Sequence, residues 1–227
     1  MPIVVGGWHD IGHDQLIDVS RERFWAHELL MVDGVPCAIP ERAVFDDVRR
    51  DRSLRGGVVK LEMAIAAGLL SLESFREWLP SRNGWTGVPF VRQVLGLSGG
   101  ECRTPPEARM RLVWIIDAGL PPPVCNRPIF DLSGRLLGYP DLLDPLAGVV
   151  GEYDGADHLA RDRRRSDAER EHLFRDHGLE YFELVRGDLQ DTPRVVRRMH
   201  HTRARARFLP PDQRAWTLEP PPWWSAA

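Results

Sequence analysis

The stretch PDLLDPLAGVVGEYDGADH, residues 140–158, carries the strongest indication of both fold and chemistry in this chain. Asp141 directly follows a proline, and a short apolar run separates it from Glu152, Asp154 and His158. This spacing predicts a strand, a turn and a second strand that bring the carboxylates together at one end of a sheet. Mg²⁺ prefers oxygen ligands and usually takes one or two carboxylates, which leaves positions for water and a phosphate. The pattern therefore indicates metal-assisted cleavage of a phosphodiester.

Glu152 and Asp154 share one face of the second predicted strand, because side chains alternate with period two. A single Asp or Glu is more often a solvated surface group or a helix cap. These two, however, lie in the mainly apolar run GVVGEYDG (148–155). Two acids on an apolar strand are costly unless they are paired or bind a metal, and we favour the metal. His158 has two open interpretations, a loop cap or a general base, since imidazole titrates close to neutral pH.

The composition is ordinary for a globular protein. The 227 residues, 43% of them hydrophobic, suffice for one large domain or two small ones. No apolar run approaches membrane-spanning length and the N-terminus lacks the features of a signal peptide, so we expect a cytoplasmic protein without a membrane partner. Cys37, Cys102 and Cys125 are widely spaced and form no CxxC pair. We expect reduced, mostly buried thiols, and neither a disulfide framework nor a zinc site.

Positive charge is concentrated in arginine clusters, although the formal net charge is −3. The net charge argues against a protein that coats nucleic acid indiscriminately. One cluster directly follows the carboxylates and the other lies in RVVRRMHHTRARAR (194–207), where phosphate contacts would be useful. A solvated helix start for the first cluster, and base composition for the arginine bias, stay open as alternatives. The residues expected to contact nucleic acid are Arg161, Arg163, Arg164, Arg165, Arg194, Arg197 and Arg198.

The sequence divides into three segments. Residues 1–100 predict a small, mainly helical domain, with apolar residues at helical spacing in VVKLEMAIAAGLLS (58–71). The run GLSGGECRTPP (96–106) is rich in Gly, Ser and Pro and is the best domain boundary. Residues 104–207 predict an α/β domain, and residues 208–227 are a Pro/Trp-rich tail that we expect to lie over the surface.

The order of elements in the second segment is helix, three strands, helix, strand and a final Arg-rich helix. Thr104 is expected to cap the first helix. The three strands are two around a turn at Ser133–Gly134, followed by the buried run GVVGEYDG. The next helix ends at Gly178, a further strand follows, and the last helix begins near Thr192.

This helix–βββ–helix–β order, carrying a PD dipeptide and then E-x-acid, resembles the PD-(D/E)XK nuclease superfamily. More closely, residues 104–191 are similar to very-short-patch-repair-like (Vsr-like) endonuclease domains. The matching elements are PPEARMRLVWIIDAGLPPP, SGRLLGYPDLL, GVVGEYDGADH, SDAEREHLF and HGLEYFELVRGDL. The resemblance implies a restriction-endonuclease-like core, an αβββαβ mixed sheet flanked by helices, preceded here by the small helical domain.

The resemblance also implies roles for individual residues. Asp141 becomes the main metal ligand and Glu152 the second, while Glu107 matches an acid that often supports the site. Glu107 has an equally strong structural interpretation in the first turn of a helix. His158 lies where mismatch-repair relatives have a His near the attacking water. Asp154 departs from the pattern, because it stands where the superfamily has a lysine. We expect Asp154 to add a ligand for a second cation, which would offset the missing positive charge.

Residues 33–97 resemble the middle region of larger actinobacterial and phage proteins that often begin with a winged-helix segment of the AbiEi antitoxin type. We expect no counterpart of that winged helix here. The sequence predicts a Mg²⁺-dependent endonuclease, with Mn²⁺ as the alternative cofactor, that acts on DNA. Two other hypotheses stay open: an antitoxin-like, nucleic-acid-binding regulator whose nuclease fold is inactive, and a nuclease acting on RNA. A protein partner or a homodimer is compatible with each hypothesis.

Overall fold

The computed structural model describes residues 2–4, 18–20, 22–51, 53–155 and 161–224. Side chains are described for these residues except 2–4, 18 and 161–168. The chain is a mixed α/β protein, as the sequence predicts, with helices and small sheets in both halves. Within these residues no helix is both long and apolar enough to pass through a membrane.

Short strands and helices alternate in the first half of the chain. Their bounds are β1 Pro2–Val4, β2 Asp18–Ser20, β3 Leu29–Val32, β4 Val35–Ala38, α1 Pro40–Arg50, α2 Leu54–Ala66, α3 Leu72–Trp78 and α4 Val88–Leu97. β1 and β2 pair in parallel, and β3 and β4 form an antiparallel hairpin around Asp33 and Gly34. The hairpin precedes the helices that were predicted for this half.

The helices of the first half pack around one apolar core. Ser53 caps α2, because its hydroxyl accepts a hydrogen bond from the N–H of Gly56 at 3.2 Å. Buried side chains of this core include Phe45, Val48, Val58, Leu61, Phe75 and Val91. Leu112 from the second half belongs to the same core, and Arg55 forms an ion pair with Asp117 at 2.7 Å. The two halves are therefore packed against each other.

The second half begins with a capped helix. Its elements are α5 Pro105–Leu112, β5 Ile129–Asp131, β6 Leu136–Gly138, β7 Leu142–Asp144, β8 Val149–Asp154, α6 Arg161–Asp176, β9 Glu180–Val185, α7 Thr192–Arg205 and β10 Trp216–Thr217. The Thr104 hydroxyl accepts a hydrogen bond from the N–H of Glu107, which confirms the predicted cap. α5 continues as a wider π-helical turn, Val113–Asp117. Gly178 follows α6 with a φ of +80°, the left-handed conformation expected at a helix end.

Two three-stranded sheets occupy the second half, in the orders β10-β5-β6 and β7-β8-β9. β7 is antiparallel to β8, and β8 is parallel to β9. The prediction of three strands between the two helices is wrong, because LLGYPDLLD (136–144) forms β6 and β7 in different sheets. Pro140 lies between them and has no N–H to contribute to a strand ladder. Its carbonyl instead accepts a hydrogen bond from the N–H of Asn126 at 2.9 Å.

The sheet β7-β8-β9 is covered on both faces. Alternation along the strands places Leu143 and Val150 on the face that packs against Phe174 of α6. The other face packs against α5 and α7, with buried side chains that include Met110, Trp114, Leu142, Val149, Phe182 and Met199. Gly151 makes room for the ring of Phe182, because an added Cβ at this position would collide with that ring.

The segment after α7 contributes to the fold as well as to the surface. Trp216 is buried in β10, which pairs antiparallel with β5. The ring of Trp224 packs edge-on against Phe130 with 5.0 Å between the ring centroids. Trp223 is 67% exposed, in keeping with the expected surface position of the tail.

Candidate active site

Asp141 and Glu152 face each other across the β7-β8 hairpin. The register pairs Leu142 with Gly151, so that Asp141 and Glu152 form the next pair outward. Both acids lie on the sheet face that α6 covers, because side chains alternate along each strand. The N–H of Tyr153 donates to Asp141 Oδ2 at 2.8 Å, which holds the Asp141 carboxylate against β8. The predicted strand, turn and strand are confirmed, and they bring these two acids together.

Both acids hold a proton up to nearly neutral pH. Burial raises the pKa of Asp141 to about 6, and the charge of Glu107 adds to that effect. Burial raises the pKa of Glu152 to about 7. Asp141 and Glu183 add to the raised pKa of Glu152, whereas Arg170 opposes it. Above neutral pH both carboxylates are ionised, and a cation bound nearby would stabilise that state.

One oxygen of Glu152 has no hydrogen-bond donor. Glu152 Oε2 accepts from Arg170 Nη1 at 3.1 Å, whereas Oε1 is buried and has no partner among the described residues. A buried acceptor without a partner costs about 1–3 kcal/mol, and a cation between Oε1 and Asp141 would remove that cost. The described part of the chain contains no group of three or more His, Cys, Asp or Glu that could hold a metal. The available donor set is this carboxylate pair, which fits Mg²⁺ or Mn²⁺ completed by water and phosphate.

Glu107 combines a structural role with an electrostatic one. Its Oε1 accepts from the Thr104 hydroxyl at 2.7 Å, and its Oε2 accepts from the Arg103 N–H at 2.8 Å. Oε2 also accepts from Asn126 Nδ2 at 2.8 Å, and the Asn126 backbone N–H binds the carbonyl that precedes Asp141. Glu107 therefore anchors the beginning of α5 and the entry to β7. Its own oxygens are occupied by these donors.

Asp154 and Glu183 extend the acidic face beyond the pair. Asp154 ends β8 two residues after Glu152 and shares its face, as predicted, with a partly buried side chain. Glu183 stands beside Glu152 in the parallel register between β8 and β9. The sequence does not reveal this neighbour, because it depends on which residues of two distant strands pair.

The structure does not describe the side chains of five of the predicted site residues. His158 belongs to 156–160, which lie outside the described residues, so that its role stays a prediction. Arg161, Arg163, Arg164 and Arg165 lie on α6, but their side chains are also outside the description. Their phosphate contacts likewise stay a prediction.

Arg170 is a neighbour of the acids that the sequence-based prediction did not include. It lies on α6, its side chain is 43% exposed, and it donates to Glu152. Its charge also acts on Asp141, so that one guanidinium serves both acids. The sequence instead favoured a structural pair of Arg170 with Asp167, one helical step away, whose side chain lies outside the described residues. The direction of its side chain depends on how α6 packs on the sheet.

A groove of about 570 Å³ lies between α6, β9 and α7. Its lining combines four arginines and His201 of α7 with Tyr181 and Glu183 of β9. Glu183 connects the groove to the acidic face, because Glu183 is also the strand neighbour of Glu152. A basic surface therefore adjoins the carboxylate pair.

The arginines of the groove differ in their partners. Arg198 forms an ion pair with Asp188 at 2.9 Å, and Arg205 pairs with an acid of β9 at 3.1 Å. Arg194 and Arg197 are exposed, and their guanidinium groups make no hydrogen bond or ion pair with any described residue. The structure thus brings the predicted Arg194, Arg197 and Arg198 to one groove and leaves two of them available for an anion.

The chain has no match among protein-family models, curated proteins or solved structures. Its site is therefore interpreted from its own geometry. That geometry combines a carboxylate pair with an unsatisfied oxygen, an arginine that contacts the pair, and a basic groove beside it.

Proposed function

We propose that this protein is a metal-dependent endonuclease that hydrolyses phosphodiester bonds in DNA. The observation that carries the proposal is the half-buried pair of Asp141 and Glu152, in which the buried Glu152 Oε1 has no described donor. A divalent cation held by the pair would provide a partner for this oxygen and would neutralise the negative charge of the two carboxylates. The adjoining groove supplies the positive charge that a phosphate backbone requires.

The arrangement of elements supports a restriction-endonuclease-like core of the Vsr type. α5, the antiparallel pair β7-β8, α6 and the parallel strand β9 follow one another in that order, with a helix layer on each face of the sheet. The acids lie at one end of the antiparallel pair. β5 and β6, which flank the Ser133–Gly134 turn, lie between α5 and β7 in the separate sheet β10-β5-β6, so that four strands and not three precede α6.

Each residue of the site has a defined task under this proposal. Asp141 and Glu152 hold the cation, and Glu107 keeps the entry to β7 in position through Asn126. A bound Mg²⁺ or Mn²⁺ supplies Lewis-acid polarisation of the phosphoryl oxygens. His158 is the candidate general base for the attacking water. Asp154 extends the acidic face toward a second cation.

The groove holds the substrate by its phosphates. Arg194 and Arg197 offer exposed guanidinium groups without described partners, and Arg198 lies beside them on α7. Contacts of this kind fix the position of a strand without reading its bases. Glu183 belongs to both the groove and the acidic face, so we expect a backbone bound by these arginines to extend toward Glu152.

A second candidate function is a nucleic-acid-binding regulator that does not cleave. It is favoured by Asp154, which stands at the position of the lysine in the resembled superfamily, and by the contact between Arg170 and Glu152. In that case Arg170 is a permanent partner of Glu152, and the groove alone performs the function. The two candidates predict opposite results in a cleavage assay.

Nicking of supercoiled plasmid in Mg²⁺ or Mn²⁺ tests the proposal. The full chain should nick, Asp141→Ala should not, and Asp212→Ala, which removes an exposed acid outside the site, should nick like the parent. Binding of both inactive and active proteins to labelled duplex should be similar. DNA binding without nicking by the parent protein would select the regulator, and cleavage of labelled RNA in preference to DNA would change the substrate class.

A further inference from the structure

Arg170 makes an incomplete contact with the carboxylate that it pairs with. One guanidinium nitrogen, Nη1, lies 3.1 Å from Glu152 Oε2, whereas Glu152 Oε1 receives no donor from any described residue. An arginine whose role is to close a buried carboxylate commonly donates two parallel N–H groups to both oxygens. The single contact leaves one oxygen of Glu152 for another cation.

The exposed side chain of Arg170 has room to move away from the sheet. Its side chain is 43% exposed, while the side chain of Glu152 is only 13% exposed. Only the arginine end of this pair is well exposed, where solvent screens its charge and the long side chain can move. A cation that binds Glu152 would take over the compensation of its charge, so that the contact with Arg170 can break without leaving the carboxylate unpaired.

Among the described residues, the positive charge of Arg170 acts on both acids of the pair. It opposes the raised pKa of Asp141 and of Glu152, and the charge of Arg103 also opposes the raised pKa of Asp141. Glu183 adds a further carboxylate beside Glu152. Phosphodiester hydrolysis needs positive charge near the phosphate beyond that of a metal, because negative charge develops there.

We propose that Arg170 is the phosphate-binding cation of this site, resting on Glu152 in the metal-free protein and contacting the phosphate once Glu152 holds a metal. This inference rests on the proposed endonuclease function. Arginine suits the task, because it stays charged at any working pH and presents planar N–H donors that match phosphate oxygens. The contact between Arg170 and Glu152 is then a resting position that keeps the cation within the site.

The test compares Arg170→Gln and Arg170→Lys with the parent chain. Arg175→Gln is the matched control, since Arg175 lies on the same helix, is 40% exposed and pairs with Glu171 at 2.9 Å. Three quantities are measured for each protein: Mn²⁺ affinity without DNA by electron paramagnetic resonance, DNA affinity in Ca²⁺, and the single-turnover rate of cleavage in Mg²⁺. Thermal unfolding verifies that each variant is folded.

Arg170→Gln should bind Mn²⁺ as tightly as the parent or up to about fivefold more tightly, because a competing cation has been removed. Its cleavage rate should fall by about 10², the usual effect of losing one transition-state donor. Arg170→Lys should recover part of that loss, and Arg175→Gln should match the parent throughout. Cleavage by Arg170→Gln at the parental rate, or a parallel loss of Mn²⁺ affinity and rate, would overturn the inference.

The same measurements separate this inference from the proposed function. A parent chain that neither binds Mn²⁺ nor cleaves DNA refutes the endonuclease itself. A parent that does both, beside an unimpaired Arg170→Gln, refutes only the role of Arg170.

Discussion

Replacing Glu152 by Gln should stabilise the protein at alkaline pH in the absence of metal. Burial raises the pKa of Glu152 from its usual 4.5 to about 7, and each pKa unit corresponds to about 1.4 kcal/mol. Keeping this carboxylate ionised in the fold therefore costs about 3 kcal/mol at pH 8. A neutral Gln of nearly the same shape avoids that cost and still offers an oxygen to Arg170.

The sign of the pH dependence follows from the direction of the pKa change. The folded protein binds more protons than the unfolded chain between about pH 4.5 and 7, so the parent loses stability as pH rises through that window. Glu152→Gln lacks this titration. Its free energy of unfolding should exceed that of the parent by about 2–3 kcal/mol at pH 8 and by almost nothing at pH 4.

Urea unfolding at the two pH values measures both free energies, with and without Mn²⁺. Mn²⁺ should stabilise the parent at pH 8 and have little effect on Glu152→Gln, because a ligand stabilises only the state that binds it. Glu77→Gln, which neutralises an exposed acid of α3, is the control and should show neither effect. If Glu152→Gln is equally or less stable than the parent at both pH values, the ionised Glu152 carboxylate does not destabilise the fold and the reasoning fails.

Three further changes test other parts of the structure. Arg194→Gln combined with Arg197→Gln should weaken binding to all DNA sequences alike and lower the log–log salt slope by about 0.9 per lost phosphate contact, measured by fluorescence anisotropy. Asp154→Asn should slow single-turnover cleavage strongly while DNA binding stays equal or tightens, because negative charge near the phosphate is removed. Gly151→Ala should cost roughly 1–3 kcal/mol in urea unfolding, since the new Cβ would collide with the Phe182 ring.

Each of these three predictions has an outcome that would contradict it. An effect of the double arginine variant on one DNA sequence alone would indicate base recognition, and Arg92→Gln on α4 is its control outside the groove. Parental cleavage by Asp154→Asn over a Mg²⁺ titration would make Asp154 structural. Gly96→Ala is the control for Gly151→Ala, because an added Cβ at Gly96 meets no atom within 4 Å. Equal stability of the two alanine variants would contradict the packing described for Phe182.

Local signals in the sequence were sufficient to predict much of the secondary structure in the second half of the chain. Thr104 and Gly178 mark helix ends through side-chain capping and left-handed backbone, which are properties of single residues. The hairpin that carries Asp141 and Glu152 is predictable as well, because apolar runs and a turn lie close together in the chain. These features need no knowledge of distant contacts.

Features that depend on long-range pairing were not predictable from the sequence. The division of LLGYPDLLD between two sheets follows from Pro140 and from a hydrogen bond with Asn126. The parallel register that sets Glu183 beside Glu152 joins strands separated by a whole helix. The hairpin of β3 and β4 interrupts a half that was expected to be mainly helical. In each case the partner lies elsewhere in the chain or in the packing, and residue preferences do not specify it.

The orientation of side chains on the helices was also not predictable from the sequence. Arg170 belongs to a helix whose sequence contains several arginines, and the packing of Phe174 against Val150 fixes the face of that helix that meets the acids. The groove of α7 depends likewise on which side Val195 and Met199 bury. The described arginines of α7 line one groove, but the sequence does not show which of them pair with acids.

Diffraction from crystals of the full chain soaked in Mn²⁺, recorded near the manganese absorption edge, examines the carboxylate pair most directly. An anomalous peak should appear within coordination distance of Glu152 Oε1 and the Asp141 carboxylate, and it should vanish in Asp141→Asn crystals. Saturating Mn²⁺ with no peak between these two side chains, or a peak that persists in Asp141→Asn, would contradict a metal-dependent site at this position.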